Sequence, residues 1–240
     1  MRQSLFSVLL LVVALGIGLV IFYFFLPEFI VKGGPLVVLL ITVTLMLITY
    51  IVERILTLKK ARGREPVPSF YRNFITAVKD DKYDDAVQIC EKQRGSAAAV
   101  LKAGLEAYQR GIKMQLTGEK RLAETQRSIE EARLLEIPFL ERNLFALSTI
   151  ASISTMIGLL GTVIGMIRCF AAMAKQGAPD AIGLATGISE ALINTAGGLF
   201  AAIMGIVAYN IFVNLVDSFN YSVDEGAFMF MEIIKEKEAR

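Results

Sequence analysis

Residues 181–216 read AIGLATGISEALINTAGGLFAAIMGIVAYNIFVNLV, a run whose one acidic or basic side chain is Glu190. Residues 143–167, NLFALSTIASISTMIGLLGTVIGMI, form a second run with none. A helix needs about 20 predominantly apolar residues to cross the hydrocarbon core of a bilayer, and both runs reach that length. Working outward, 4–26 and 33–52 are also almost free of charge and rich in Leu, Val, Ile and Phe. Buried helices of water-soluble proteins are seldom uncharged for so long four times over. The fold class is therefore all-α: a polytopic membrane protein with four transmembrane helices and an inserted helical cytoplasmic domain.

The insert is where the charge went. The chain's 240 residues are 55% hydrophobic and 20% charged, an average of two different materials, because most Lys, Arg, Asp and Glu fall between 53 and 142. Arg54, Lys59, Lys60, Arg62 and Arg64 crowd the end of the second run, whereas the connections 27–32 and 175–180 carry one Lys each. Basic residues beside a span favour the cytoplasmic side, which puts the insert and both termini there. The chain then divides into an N-terminal extra helix and outer loop (1–31), a second span (32–54), the helical insert (55–142), a third span (143–174), an outer loop (175–182), a fourth span (183–216) and a cytoplasmic tail (217–240). Arg2 is a weak positive start for a signal peptide, but no small-x-small site precedes Pro27, so the first helix reads as retained.

Composition also excludes function classes. The chain has no His and two cysteines, Cys90 and Cys169, on opposite sides of this topology, so neither a metal centre nor a disulfide framework is expected. No Gly-rich phosphate loop and no nucleophile paired with a base is present, which argues against an ATPase or other enzyme. The basic cluster after the second run is explained by topology, and nucleic-acid binding is not inferred from it. No cofactor is implied.

Within the insert, Tyr83, Ala86, Val87 and Cys90 recur at the spacing of one buried helix face, with Asp80 or Asp81 as the expected cap. A second helix is expected over 97–110, ended by Gly111. From Gly118 to Leu135 an alternating charged face reads as solvated helix, and Pro138 is expected to kink or restart the chain before the membrane.

The last two runs differ from the first two. In the third, Ser148, Thr155 and Thr162 repeat every seven residues along one stripe, with Gly158, Gly161 and Gly165 close by. Small residues let helix backbones approach, and on this stripe alone close packing is the fuller explanation. Glu190 changes the balance. At 1.5 Å per residue it lies on the order of 15 Å inside the fourth run, where an ionisable residue points to function by default. Thr186, Glu190 and Asn194 share one face; Ala191, Thr195, Gly198, Ala202 and Gly205 form another. Counted from the outer ends, Thr162 and Thr195 come to similar depths.

At these residues the chain resembles the ExbB/TolQ/MotA family of ion-driven motor subunits, closest to its ExbB and TolQ branch. The resemblance rests on GLLGTVIGMI (158–167) and GISEALINTAGGLFAAI with AYN (187–210), supported by KGGPLVVLLITVTLMLITYIVER (32–54) and LERNLFALSTIAS (140–152). It implies a pentamer in the bacterial inner membrane, whose last two spans surround a pore occupied by two copies of a single-span ExbD- or TolR-like partner carrying the ion-binding Asp. A TonB- or TolA-like protein is a further implied partner. Thr162, Thr195 and Glu190, with Thr155 and Ser148 on the same stripe, would line the ion pathway; Gly158, Gly161, Gly165, Gly198 and Gly205 would pack the helices. Proton flow would serve outer-membrane transport or envelope integrity. A flagellar-type stator and a non-conducting membrane scaffold are the alternatives. Ser154-Thr155 and Met204 stand where the family commonly has Ala-Pro and Pro, which leaves proton against sodium open.

Overall fold

The computed structural model describes residues 2–174 and 180–239. Among them every regular element is an α-helix: α1 (Arg2–Phe24), α2 (Glu28–Val31), α3 (Leu36–Arg62), α4 (Val67–Lys79), α5 (Tyr83–Gln93), α6 (Ser96–Lys113), α7 (Gly118–Glu141), α8 (Leu144–Met173) and α9 (Ala181–Glu238). Among the described residues three helical stretches, Leu36–Lys79, Gly118–Met173 and Ala181–Glu238, are long and apolar enough to cross a membrane, and Val8–Phe24 adds a shorter apolar one. Most of the expected outer loop, 175–179 with Lys175, lies outside the described residues.

The chain forms two compact units. The first comprises Met1–Glu53 and Asn143–Ile211, the second Arg54–Arg142 and Phe212–Arg240. In the first unit, large apolar side chains such as Met156, Leu159, Val163, Leu192, Phe200 and Ile203 stay exposed. So wide an exposed apolar surface suits lipid and is a liability in water. Entry into α8 is made at Asn143, whose φ of 63° lies in the left-handed region. Asn is among the few non-glycine residues that adopt that conformation readily, and its Nδ2 donates to the distant Glu53 Oε2 at 3.1 Å. Pro138 sits inside α7 without ending it, and the chain breaks instead at Arg142–Asn143.

The second unit has an ordinary side-chain core. Phe70, Phe74, Val78, Ala86, Cys90, Leu101, Leu105, Ile129, Phe230 and Ile234 are all buried in it. Phe74 and Phe230 meet edge to face with centroids 5.5 Å apart, an arrangement that the ring quadrupoles favour. Of the tail read from sequence, residues 217–238 are the second half of α9 and supply Val223, Phe230, Ile233 and Ile234 to this core.

Two expectations for helix ends in this unit do not hold. Asp81 does not cap α5. It adopts φ 60°, Lys82 takes the cap position without a side-chain bond, and the Asp81 carboxylate instead accepts from Tyr83 Oη at 2.7 Å and pairs with Lys237. Gly111 does not end α6, which continues to Lys113. A Cβ at 111 would lie 2.5 Å from Arg121 Cγ, so the residue is Gly to admit the α7 side chain.

Candidate ion-pathway site

The site starts from how closely α8 and α9 approach. They run antiparallel, and their contact is built from glycines facing backbone. A Cβ on Gly198 would lie 2.6 Å from Ser154 O and 2.8 Å from Gly158 Cα; one on Gly165 would lie 2.6 Å from Gly187 O. A Cβ on Gly158 would lie 3.2 Å from both Asn194 O and Gly198 Cα, and one on Gly205 would lie 2.8 Å from Ala151 Cβ. Gly161 lies against the Asn194 side chain. Even Ala at most of these positions would force the helices apart, and backbone cannot swing aside as a side-chain tip can. Gly187 was not among the sequence candidates, yet it belongs to this contact, with Cys169 N 2.9 Å from where its Cβ would be. Its spacing of 11 residues before Gly198 is the signal that marks it.

The hydroxyl stripe occupies the edge of this contact. Ser148 and Thr162 are half-buried and Thr155 is exposed, whereas its neighbour Ser154 is fully buried. Thr162 and Thr155 donate to their own helix, at Leu159 O (2.6 Å) and Ala151 O (3.2 Å). Thr195 is different: its Oγ1 reaches across to Gly158 O at 3.3 Å. That contact sets Thr195 beside the turn of α8 that leads to Thr162, about one turn or 6 Å further along. In each case the hydroxyl hydrogen is spent on a carbonyl, which leaves oxygen lone pairs for a donor or ion arriving from outside.

The charged part of the site joins three segments. Glu190 is only 1% exposed and Asn194 is 0% exposed, so each needs partners for its polar atoms; among the described residues Glu190 Oε1 and Asn194 Oδ1 have none, and the other polar atoms are engaged. Asn194 Nδ2 donates to Gly33 O at 2.7 Å and to Glu190 O at 3.0 Å, which ties α9 to the turn before α3. That turn passes through Gly34 at φ 75°, a left-handed conformation that glycine adopts without strain. A Cβ there would collide with Glu190 Oε1, so Gly34 is required twice over. The remaining partner is Arg168, whose Nη1 forms an ion pair with Glu190 Oε2.

Arg168 is the residue that sequence reading missed. It lies just past the uncharged run, in the part of α8 taken for ordinary span, and its relation to Glu190 depends on the register of two antiparallel helices. A lone Arg in an otherwise apolar helix was the available signal. Thr186, expected on the face of Glu190 and Asn194, is exposed and donates to Ile182 O at 2.8 Å.

A channel-family model, described as the MotA/TolQ/ExbB proton channel family, matches residues 93–225, more than half of the chain. The chain belongs to that family. Among curated relatives it is 48% identical over 88 residues to the Tol-Pal system protein TolQ of Haemophilus influenzae, covering 36% of this chain and 38% of that protein. It is 39% identical over 90 residues to a putative biopolymer transport protein, ExbB-like 3, of Synechocystis, covering 37% and 43%. It is 41% identical over 81 residues to the biopolymer transport protein ExbB of Salmonella typhimurium, covering 34% and 33%. The matched region thus spans less than half the length of each of these relatives. Membership of a proton-channel family and a membrane location follow from the family match and the apolar helices together.

Proposed function

We propose that this chain is the wall subunit of an ion-driven motor in the bacterial inner membrane. Five copies surround two copies of a single-span partner of the ExbD or TolR type, which brings the acid that carries the ion. The chain crosses four times, with α1 as the extra first span, the second unit in the cytoplasm together with both termini, and the connections before α3 and α9 outside. Proton motive force is coupled to outer-membrane transport or envelope integrity through a TonB- or TolA-like protein.

The observation that carries this reading is the α8–α9 contact. Glycine faces bring the backbones together, and Thr162 and Thr195 then present oxygens within about one helical turn of each other on its edge. Such an edge can line a narrow polar path once copies are arranged around it; a helix pair built only for assembly has no need of a hydroxyl there. The test is to co-express the chain with a single-span partner encoded nearby, purify the complex, count subunits and measure ion flux in vesicles. Flux that collapses with a protonophore supports proton coupling; flux that follows external sodium assigns the ion differently. A stable complex without any flux sinks the channel reading in favour of a scaffold.

A further inference from the structure

We propose that the groove between α3 and α9, just past the end of their apolar runs, holds an anionic phospholipid of the cytoplasmic leaflet, with Lys59 and Arg62 on its phosphate and Ile55, Leu58 and Leu215 against the upper part of its acyl chains. The choice of leaflet rests on the four-span topology proposed above; the site itself needs neither a pore nor a partner.

The groove, about 210 Å³, lies wholly within the second unit. α3 lines it with Ile55, Leu58, Lys59 and Arg62, and α9 with Phe212, Leu215 and Phe219. Positions three, four and seven apart share a helix face, so one stripe of α3 lies opposite one stripe of α9. Phe212 is buried and closes the floor, whereas Ile55 and Leu215 stay exposed. Lys59 and Arg62 are exposed as well. Open apolar surface beside two cations matches the two chemistries that meet at a lipid's glycerol, acyl chain on one side and phosphate on the other.

Depth follows from α3 being one helix from Leu36 to Arg62. Its uncharged run ends at Val52, and Ile55 and Leu56 carry the exposed apolar surface further. Lys59 follows Ile55 by about one turn, or 6 Å, and Arg62 by about 10 Å. The headgroup layer on each side of the hydrocarbon is about 5–8 Å deep. Helix side chains lean toward the helix N-terminus, here back toward the bilayer, so both charged tips reach phosphate level. Charge completes the match. No lining residue is acidic, and neither Lys59 nor Arg62 enters an ion pair among the described residues. A zwitterionic headgroup would bring an ammonium with no carboxylate to meet it. An anionic one brings an uncompensated phosphate, which Arg takes in a fork and Lys as a point charge. Topology asks only for basic residues on one side of the membrane and is indifferent to helix face. Lys60 and Arg64 meet that need equally, yet only Lys59 and Arg62 line the groove.

The experiment titrates the full chain, purified and delipidated in detergent, with phosphatidylglycerol and with phosphatidylcholine of the same acyl chains, and reads bound lipid by native mass spectrometry. Each basic residue at an anionic lipid contributes roughly fivefold in affinity, so the wild type should favour phosphatidylglycerol by about tenfold or more, and Lys59→Gln/Arg62→Gln should lose that preference. Lys60→Gln/Arg64→Gln has the same net charge and should bind as the wild type does. Leu215→Trp keeps every charge but fills the groove, and should weaken phosphatidylglycerol binding too. All five positions are exposed, so folded yield is expected to hold, and the wild type's choice between the two lipids needs no variant. Equal losses in the two double variants reduce the effect to general attraction and overturn the proposal. So does a wild type that does not distinguish the lipids, or a Leu215→Trp chain that binds undiminished. Displacement of the lipid by inorganic phosphate assigns a free-anion site and overturns it as well. No partner or ion gradient enters these titrations, so failure of the channel reading shows up separately, in the flux assay.

Discussion

The α8–α9 contact and the core of the second unit are both helix packings, built from opposite materials. In the second unit Phe70, Phe74, Leu101, Leu105 and Phe230 are nearly or fully buried, and bulky side chains hold helices apart at ordinary distances. Between α8 and α9 the buried residues include Gly158, Gly161, Gly165, Gly187, Gly198 and Gly205 with Ala151 and Ser154. The difference follows from what each region leaves behind on packing. In water, covering apolar area gains roughly 25 cal/mol per Å², so large side chains go inside. In lipid that gain vanishes, since acyl chains solvate Leu as well as a protein does; close backbone approach and cross-helix hydrogen bonds must supply the attraction. Size is useful in one region and harmful in the other.

That contrast can be broken from either side. The largest effect is expected for Phe230→Ala, which empties a fully buried site against Phe74 and should cost about 4 kcal/mol, read from denaturant unfolding of the purified chain. If the second unit tolerated this change, its core would not be the conventional packing described. Next comes Gly198→Val, which adds atoms where the facing groups are Ser154 O and Gly158 Cα. Overpacking of this kind costs about 1–3 kcal/mol, and cysteine cross-links between α8 and α9 should lose yield. Unchanged cross-linking would mean that the backbones are not in contact.

Thr195→Ala should be smaller in stability and larger in function. Cross-helix hydrogen bonds in membranes average about 0.6 kcal/mol, so the folded yield should barely change while ion flux falls. Equal loss of both would reduce Thr195 to a packing residue. The smallest effect belongs to Asp81, where the hydrogen bond from Lys237, then that from Tyr83, holds the carboxyl below its ordinary value of 3.8. A depressed folded-state value stabilises above the unfolded value and is lost as pH falls through the folded one. Asp81→Asn should therefore lower the melting temperature slightly at neutral pH, and the gap from wild type should close below about pH 4. A gap that stays constant there would assign the effect to shape instead of charge.

How much of this was legible beforehand depended on whether a residue's meaning is local. Long uncharged runs, the Gly-rich motifs and a single intramembrane Glu are visible in any window of sequence. The heptad-like spacing of Val223, Phe230 and Ile234 was visible too, but a tail after a membrane span invites no search for a core face. Asp81 and Gly111 were misassigned because a cap and a helix stop are local readings, and both residues answer to distant partners, Lys237 and Arg121. The Arg168–Glu190 pair was hidden for the same reason. Its members are 22 positions apart, and only the antiparallel return of α9 along α8 makes them neighbours.

The two cysteines carry a practical consequence. Cys169 is buried where the Gly187 backbone presses on α8, and Cys90 is buried in the aromatic core, where burial pushes its thiol up to about 12. A thiol that stays protonated is a poor nucleophile, and one sealed in a helix contact is out of reach of bulky reagents. Reporter groups for distance or accessibility measurements can therefore be attached at introduced exposed cysteines with both native ones left in place. The labelling chemistry would then see an effectively cysteine-free protein whose packing has not been altered to make it so.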